Sequence, residues 1–537
     1  MGSGAAGLAA ALAASGAGAD VLVVERADAV GGTTAMSGGV VWMPAHGRNG
    51  RSTIIDDSAD EALAYLGALA GGDVDAGLVR AFVSDTRRVT DEIENRTPIE
   101  WEVLEHWPDY RGELPGAKRG GRSLWPRALR LAPDIEARVQ SAFDQPSPAN
   151  TATRAATTTR ANTVPGATPA TRASTTTPDD AATPANDGVV LRGHVRGRAL
   201  AGGLLDGVVD AGVEVRTGAR ASSLAVEDGR VVGVVVDGEV LSGRVVLASG
   251  GFQHDVGLVG ELLGGAPIVA MGPAGCGGDG VRMALSAAAV LGNTTEGWWM
   301  PAMHAPGEDV DGVRHYRPLH GERAQPGAIM VDRSGARFVD EAQSYGEVGR
   351  AMRRAAGSGT SFPAAPCWMV FDAAYRRRYP VGPVEPGSPD PAWLVRADDL
   401  AGLARLTGVA PGTLEHTVTR FNAGAARGED PDFGRGTFPY DRWIGDPSAP
   451  HPTLAPLCEA PFYALEVHLG CMGTKGGPRT DDHGRVLSAG RAPVVGLYAA
   501  GNAAASPFGT ATAAGGATLG PALVFGFRAG EAAAGDR

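Results

Sequence analysis

A glycine-spaced run near the start of the chain and a second glycine-rich block near its end read as two halves of one site, so a fold that uses both must bring the two ends of 537 residues together. The first is Gly2-Ser3-Gly4-Ala5-Ala6-Gly7, followed by the apolar run Val21-Leu22-Val23-Val24, then Glu25, then Gly31-Gly32-Thr33-Thr34-Ala35-Met36-Ser37-Gly38-Gly39. The second is Gly496-Leu497-Tyr498-Ala499-Ala500-Gly501-Asn502 with Gly516-Ala517-Thr518-Leu519-Gly520-Pro521. Glycines at a strand-to-helix turn let the backbone approach a pyrophosphate, whose charge is then met by the free N–H groups and positive end of the helix that follows. Residues 5–14 are all Ala, Leu or Gly, as a closely packed crossover helix requires. Glu25, about 20 residues on at the end of the next strand, suits a ribose hydroxyl. In a chain with 79 glycines a lone run of this kind says little, but helix, strand and terminal acid in register favour dinucleotide binding over a structural turn.

The fingerprint needs a buried central strand ahead of its first glycine, and only Met1 precedes Gly2. Either the domain is built with a gap or the true start lies upstream of this Met; the intact glycines favour an upstream start.

A formal net charge of −12 argues against nucleic acid or an anionic membrane surface as a partner. The four cysteines, Cys276, Cys367, Cys458 and Cys471, form no C-x-x-C pair, so neither a metal site nor a disulfide framework is expected. No apolar run reaches about 18 residues and no basic segment precedes the first apolar stretch. The expectation is a cytoplasmic protein without a transmembrane segment.

Leu63, Leu66, Leu69, Leu78, Phe82 and Val89 recur at helical spacing between about 57 and 105. Residues 146–187 are almost wholly Thr, Ala, Pro, Asn, Ser, Arg and Asp, a composition that cannot offset its own ordering entropy, so a disordered insert is expected there. A helix from about 197 to 211 follows, then a strand at 213–216. The runs 223–227 and 230–237, joined by Asp228-Gly229, form a hairpin, and 244–252 is a buried strand entering a glycine turn. The organisation predicted is a nucleotide domain in three parts, 1–145, 188–255 and 465–537, with a second domain inserted at 256–464.

Taken together, these pieces resemble the fumarate-reductase and 3-ketosteroid-dehydrogenase superfamily of flavoproteins. The matching blocks, in order, are Gly2 to Gly7, Gly32 to Gly39, Leu247-Ala248-Ser249-Gly250-Gly251-Phe252, Gly278-Asp279-Gly280, Gly335-Ala336-Arg337-Phe338-Val339-Asp340-Glu341, Gly473-Thr474-Lys475-Gly476-Gly477 and the C-terminal pair. The resemblance implies an α/β fold: a Rossmann-like FAD domain of the glutathione-reductase type, discontinuous in sequence and covered by an α+β capping domain, with a ketone or related small molecule bound over the flavin. The FAD residues it implies in the first half are Gly2, Gly4, Ala5, Ala6, Gly7, Glu25 and Arg26, then Gly32, Thr33, Thr34, Ser37, Gly38 and Gly39. Further along they are Ala248, Ser249, Gly250 and Asp279, and at the end Gly501, Asn502, Gly516, Ala517 and Leu519.

Where fumarate-reductase types carry a catalytic Arg after the R-F-V-N-E block, this chain resembles the ketosteroid-dehydrogenase branch in having Tyr345. It resembles that branch again at Trp107-Pro108-Asp109-Tyr110. The branch implies removal of a C2 proton by a tyrosine and transfer of the C1 hydride to flavin N5, which makes Tyr345 the base and Tyr110 its neighbour. Its C-terminal motif polarises the ketone with a tyrosine hydroxyl and a glycine N–H; Gly516 is the matching glycine, but Thr512 stands where the tyrosine is expected. Thr is also a donor, yet too short to reach the same oxygen unless substrate or water fills the gap. Losing such a donor costs on the order of 3 kcal/mol. The reading is an FAD enzyme that oxidises a CH–CH bond of a cyclic, steroid-like ketone, with an unidentified electron acceptor. A flavin-dependent ene reductase and a flavin-binding protein without turnover are the alternatives.

His304, His315 and His320 fall in one polar stretch and read as solvent-facing. Trp298-Trp299-Met300-Pro301 and Trp42-Met43-Pro44 suit an apolar pocket or a core equally. Lys475 suits the flavin's N1–O2 edge or a surface pair, and Cys471 a small buried residue.

Overall fold

The computed structural model describes residues 1–70, 74–139, 196–309, 314–354 and 361–535. The expected insert at 146–187 lies outside these described residues.

The two ends of the chain meet through helices made of small residues. Ala5–Gly16 is buried along ten of its residues, and it packs on the C-terminal helix Leu519–Gly535. A Cβ added at Gly526 would stand 2.5 Å from the Ala6 carbonyl oxygen, and one at Gly530 2.2 Å from that of Ala10. Two glycines one turn apart therefore let the helix axes approach to backbone contact, and the N- and C-terminal glycine blocks arrive side by side.

Around this pair run short parallel strands. Leu22–Val24 pairs with Glu214–Arg216, and Val245–Leu247 pairs with Pro493–Ala499. Met1 and Gly2 tie the two ribbons together: Gly2 N–H donates to Val24 O at 2.8 Å, the Met1 amine to Val246 O at 3.0 Å, and Ala248 N–H to Met1 O at 2.9 Å. The expected hairpin is present as Ala221–Glu227 against Arg230–Val236, turning at Asp228 (φ 48°) and Gly229 (φ 74°). Two successive positive φ values match the right-handed twist of the flanking strands, which is why Asp-Gly is read there.

The helical pattern of 57–105 becomes two helices, Ala59–Ala70 and Ala76–Arg96, and stops short of its expected end. Pro98 forces Thr97 into an extended conformation (φ −144°, ψ 163°), and Trp101–Val103 then forms a strand against Ser123–Pro126.

The remainder is organised on a seven-stranded sheet whose path runs Tyr316–Pro318, Gly297–His304, Phe462–Thr474, Cys367–Asp372, Ala328–Val331. Its spine is Phe462–Thr474, a strand of 13 residues that also pairs with Ile268–Ala270 and Val395–Ala397. The boundary expected at 464/465 falls inside this strand. No helix of the described residues is long and apolar enough to cross a membrane.

Candidate active site

A long cavity opens at the first glycine run. Gly2, Gly4, Ala5 and Ala6 form one wall, Glu25 and Arg26 a second, Gly32, Thr33, Thr34 and Ser37 a third. Ala248, Ser249, Gly250, Asp279, Gly501, Asn502 and Leu519 complete it. The cradle is made by local bonding. Thr34 Oγ1 caps the Ala5 N–H at 2.9 Å; Ser3 donates to Glu25 Oε2 through both its N–H (2.9 Å) and its hydroxyl (2.7 Å). Arg26 reaches Asp279 at 3.3 Å. A Cβ at Gly32 would stand in open space, so the missing side chain there adds room in the cavity. Main-chain amides at a helix N-terminus, an acid at a strand end and no bulky side chain between them fit a dinucleotide pyrophosphate and its ribose.

Five residues expected at the cofactor do not line this cavity. Gly7 works behind it: a Cβ there would lie 1.9 Å from the Gly2 carbonyl oxygen, so its role is close packing of helix on turn. Gly38 gives its carbonyl to Trp125 Nε1 at 3.1 Å, and Gly39 (φ 69°) backs onto Arg196. Gly516 (φ 93°) accepts from Trp42 N–H at 3.1 Å and from Gly520 N–H at 3.0 Å. Ala517 lines a smaller adjoining pocket, which shares Trp298 and Asn502 with the first. Residues that sequence reasoning missed are Ser3, Arg220, Cys276 and Met472, all on the cavity wall. Of these only Ser3, inside the glycine run, carried a readable signal.

The second constellation is aromatic. Tyr345 opens the helix Tyr345–Met352, capped by Ser344, whose hydroxyl accepts from Glu347 N–H at 3.4 Å. The block before it is an anchor: Glu341 takes Arg337 at 2.7 Å and Arg435 at 3.1 Å in a fully buried pair of ion bridges. Tyr110 is set from the other side. Its N–H donates to Ala513 O at 3.0 Å, and the neighbouring Asp109 accepts from Trp42 Nε1 at 3.0 Å and Arg122 at 2.7 Å. Burial lifts the Asp109 carboxyl to about 6 against the pull of Arg122.

Tyr110 and Tyr345 meet edge to face with ring centres 5.5 Å apart. Tyr440 packs on Tyr110 at 4.7 Å, His320 on Tyr345 at 5.7 Å, and Trp107 on Trp443 at 4.8 Å. Trp107 Nε1 is buried with no partner among the described residues, and the Tyr110 hydroxyl interacts with those of Tyr345 and Tyr440. Beneath them lies Arg323, fully buried, held by the carbonyls of Leu319, Glu341 and Gln343 and lacking a carboxylate partner among the described residues. Burial raises the Tyr345 phenol, while the Tyr110 hydroxyl and the Arg323 charge oppose that rise. His320 is no surface residue: burial, reinforced by Arg323, pushes it down to about 4, and it stands as a neutral ring against Tyr345. The polar stretch around it gave the opposite impression because its apolar neighbours arrive from Trp107 and Tyr345, far away in sequence.

Thr512 is buried beside this cluster; a Cβ on Gly346 would lie 3.2 Å from its Oγ1. Lys475 is buried too, which excludes the surface pair, and donates to Thr510 O at 2.7 Å, Ala511 O at 2.8 Å and Thr512 Oγ1 at 3.1 Å. Burial, with Arg350 acting in the same direction, lowers Lys475 to about 7. Trp299 is core, bonded to Glu296 at 3.0 Å, whereas Trp298 faces the cavity. Cys471 is buried as expected, its thiol raised to about 12 by burial. Among the described residues no cluster of His, Cys, Asp and Glu could hold a metal ion.

A mixed α/β scaffold with a backbone-amide cradle that fits a dinucleotide, and with a cluster of buried phenols, is that of a flavoprotein oxidoreductase. The family model for the FAD binding domain matches residues 1–519, and the chain belongs to that family. It is 37% identical to 4-oxocyclohexanecarboxylate 2-dehydrogenase of Sinomonas cyclohexanicum, over 100% of this chain and 92% of the relative. It is 35% identical to 3-oxosteroid 1-dehydrogenase of Mycolicibacterium smegmatis, over 98% and 95% respectively. Among solved structures it resembles 3-ketosteroid delta1-dehydrogenase from Sterolibacterium denitrificans in complex with 1,4-androstadiene-3,17-dione. The TM-score is 0.84 and the identity 31%, covering 100% of this chain and 98% of that one.

Proposed function

We propose that this chain is an FAD-dependent dehydrogenase that converts a cyclic ketone to its enone, with Tyr345 as the base. The observation that carries the reading is the buried contact of Tyr345 with Tyr110, 5.5 Å between ring centres. A phenol of ordinary pKa near 10 is only about 0.1% ionised at pH 7, a handicap of roughly 4 kcal/mol. The Tyr110 hydroxyl and Arg323 both favour the phenolate and work against burial. Tyr345 Oη takes the proton next to the carbonyl, and Gly516 N–H and the Thr512 hydroxyl acidify it by hydrogen-bonding the carbonyl oxygen. FAD, when bound, supplies the hydride acceptor. Gly2, Gly4, Ala5, Ala6, Glu25 and Asn502 are the residues that would hold it. The nucleotide domain is of the glutathione-reductase type, assembled from the beginning, middle and end of the chain and capped by the region built on the seven-stranded sheet.

The relatives' names point to monocyclic and steroid ketones alike, so the test uses both. Anaerobic mixing of the flavin-loaded protein with 4-oxocyclohexanecarboxylate or 4-androstene-3,17-dione is expected to bleach the visible flavin band. A protein that ignores both ketones but whose reduced flavin is reoxidised by an enone runs in the opposite direction. One that loads no FAD overturns the proposal.

A further inference from the structure

Lys475 is buried, and the three oxygens around its Nζ match the three N–H bonds of the ammonium form, which burial confines to pH values near and below about 7. Those oxygens are Thr510 O at 2.7 Å, Ala511 O at 2.8 Å and Thr512 Oγ1 at 3.1 Å. Its backbone is pinned on both sides, Lys475 N–H to Glu296 O at 2.9 Å and Ser506 N–H to Lys475 O at 2.9 Å. The side chain lies over the Trp298 ring, 4.3 Å from its centre, and Trp298 is on the wall of the long cavity. The ammonium is therefore held in one place.

The consequence falls on Thr512. A hydroxyl has one proton and two lone pairs. Thr512 Oγ1 accepts from Lys475, donates to no other described residue, and abuts Gly346, the neighbour of Tyr345. With the cation occupying its acceptor side, the hydroxyl must aim its own proton away from Lys475, and a charged donor behind it makes that proton a stronger hydrogen-bond donor. In the same loop, Gly516 gives its carbonyl to Trp42 and Gly520 and has no acceptor for its N–H among the described residues.

We propose that Lys475 is a positioning residue for the reaction: it orients the Thr512 hydroxyl so that Thr512 and Gly516 N–H together bind the carbonyl oxygen of the ketone. This rests on the reading of the site as a cyclic-ketone dehydrogenase. A lysine-backed threonine thereby does the work of the longer tyrosine, and Lys475 acts through Thr512, not on the substrate directly.

The test is a double-mutant cycle of native protein, Thr512→Val, Lys475→Met and the double variant, each loaded with FAD and mixed anaerobically with the ketone. Flavin reduction is expected to slow on the order of a hundredfold in Thr512→Val. Lys475→Met is expected to cost about tenfold in the native background and less than about twofold once Thr512 is Val. An equal loss in both backgrounds, or no loss in the first, overturns the proposal. Should Lys475→Met fail to load FAD, Lys475→Gln replaces it; if neither variant loads FAD, the lysine is structural and the proposal is wrong. A native protein that loads FAD and reacts with no ketone fails the dehydrogenase reading instead. Bound 4-nitrophenol, a stand-in for the enolate oxygen, then decides the positioning role without turnover. Its ionisation in the site should shift to higher pH by about one unit in Lys475→Met, and not at all in Lys475→Met when Thr512 is already Val.

Discussion

Around Gly2 to Ala6 the chain offers a ligand main-chain amides and methyl groups; around Tyr345 it offers hydroxyls, an indole N–H and a guanidinium set in a buried aromatic shell. The first region works by what is absent, since a Cβ at Gly7 would strike the Gly2 carbonyl at 1.9 Å. The second works by single polar atoms whose removal leaves the shape nearly intact. Added atoms should therefore harm the cradle and deleted atoms the tyrosine site, with separable readouts in flavin content and in rate.

The largest effect is expected at Tyr345. Tyr345→Phe deletes one oxygen, and flavin reduction by the ketone should fall on the order of 10²–10⁴-fold with FAD content unchanged. An unaltered rate would remove Tyr345 from the mechanism. Next comes the converse test in the cradle. Gly7→Ala adds one carbon against the Gly2 carbonyl, an overpacking cost of roughly 1–3 kcal/mol, and FAD binding should weaken tenfold or more in titrations of the apoprotein. If the variant binds FAD normally, the turn has slack and the contrast is weaker than the geometry says.

Arg323→Gln sharpens the electrostatic half. With a phenolate as the proposed base, the rate should rise with pH toward the Tyr345 pKa, which burial holds above the ordinary value of 10.0 and Arg323 restrains. Removing the charge raises that pKa further, so the alkaline limb should move to higher pH and the rate near neutrality should fall about tenfold. A limb that stays or moves down contradicts the role. The smallest effect is predicted for Trp107→Phe, which removes a buried unpartnered N–H but keeps a ring. KM should rise about threefold to tenfold with kcat nearly unchanged, as for one lost neutral hydrogen bond in the ground state.

The cradle was legible in the sequence because it is local. Gly2, Gly4, Ala5 and Ala6 lie within one turn and Glu25 one strand away, so backbone chemistry read from neighbouring residues carries into space directly. Tyr345 and Tyr110 came only through resemblance. Their partners Tyr440, His320 and Arg323 left no sequence signal, because Tyr440 and Tyr110 reach the site from segments distant in the chain, and the loop carrying His320 and Arg323 has no pattern that places it against them. Gly516 is a middle case: motif position singled it out for its N–H, and its carbonyl is committed to Trp42 and Gly520, which leaves the N–H for a ligand.

The strand Phe462–Thr474 runs through the large sheet for 13 residues, about 40 Å, and its last residue receives the Phe252 N–H on Thr474 Oγ1 at 3.2 Å. The next residue is Lys475. A cover joined by a flexible loop can swing on it; a sheet whose central plank continues into the cofactor wall is clamped there and cannot rotate without bending that plank. Any push on the sheet is thus delivered one residue from the lysine behind Thr512.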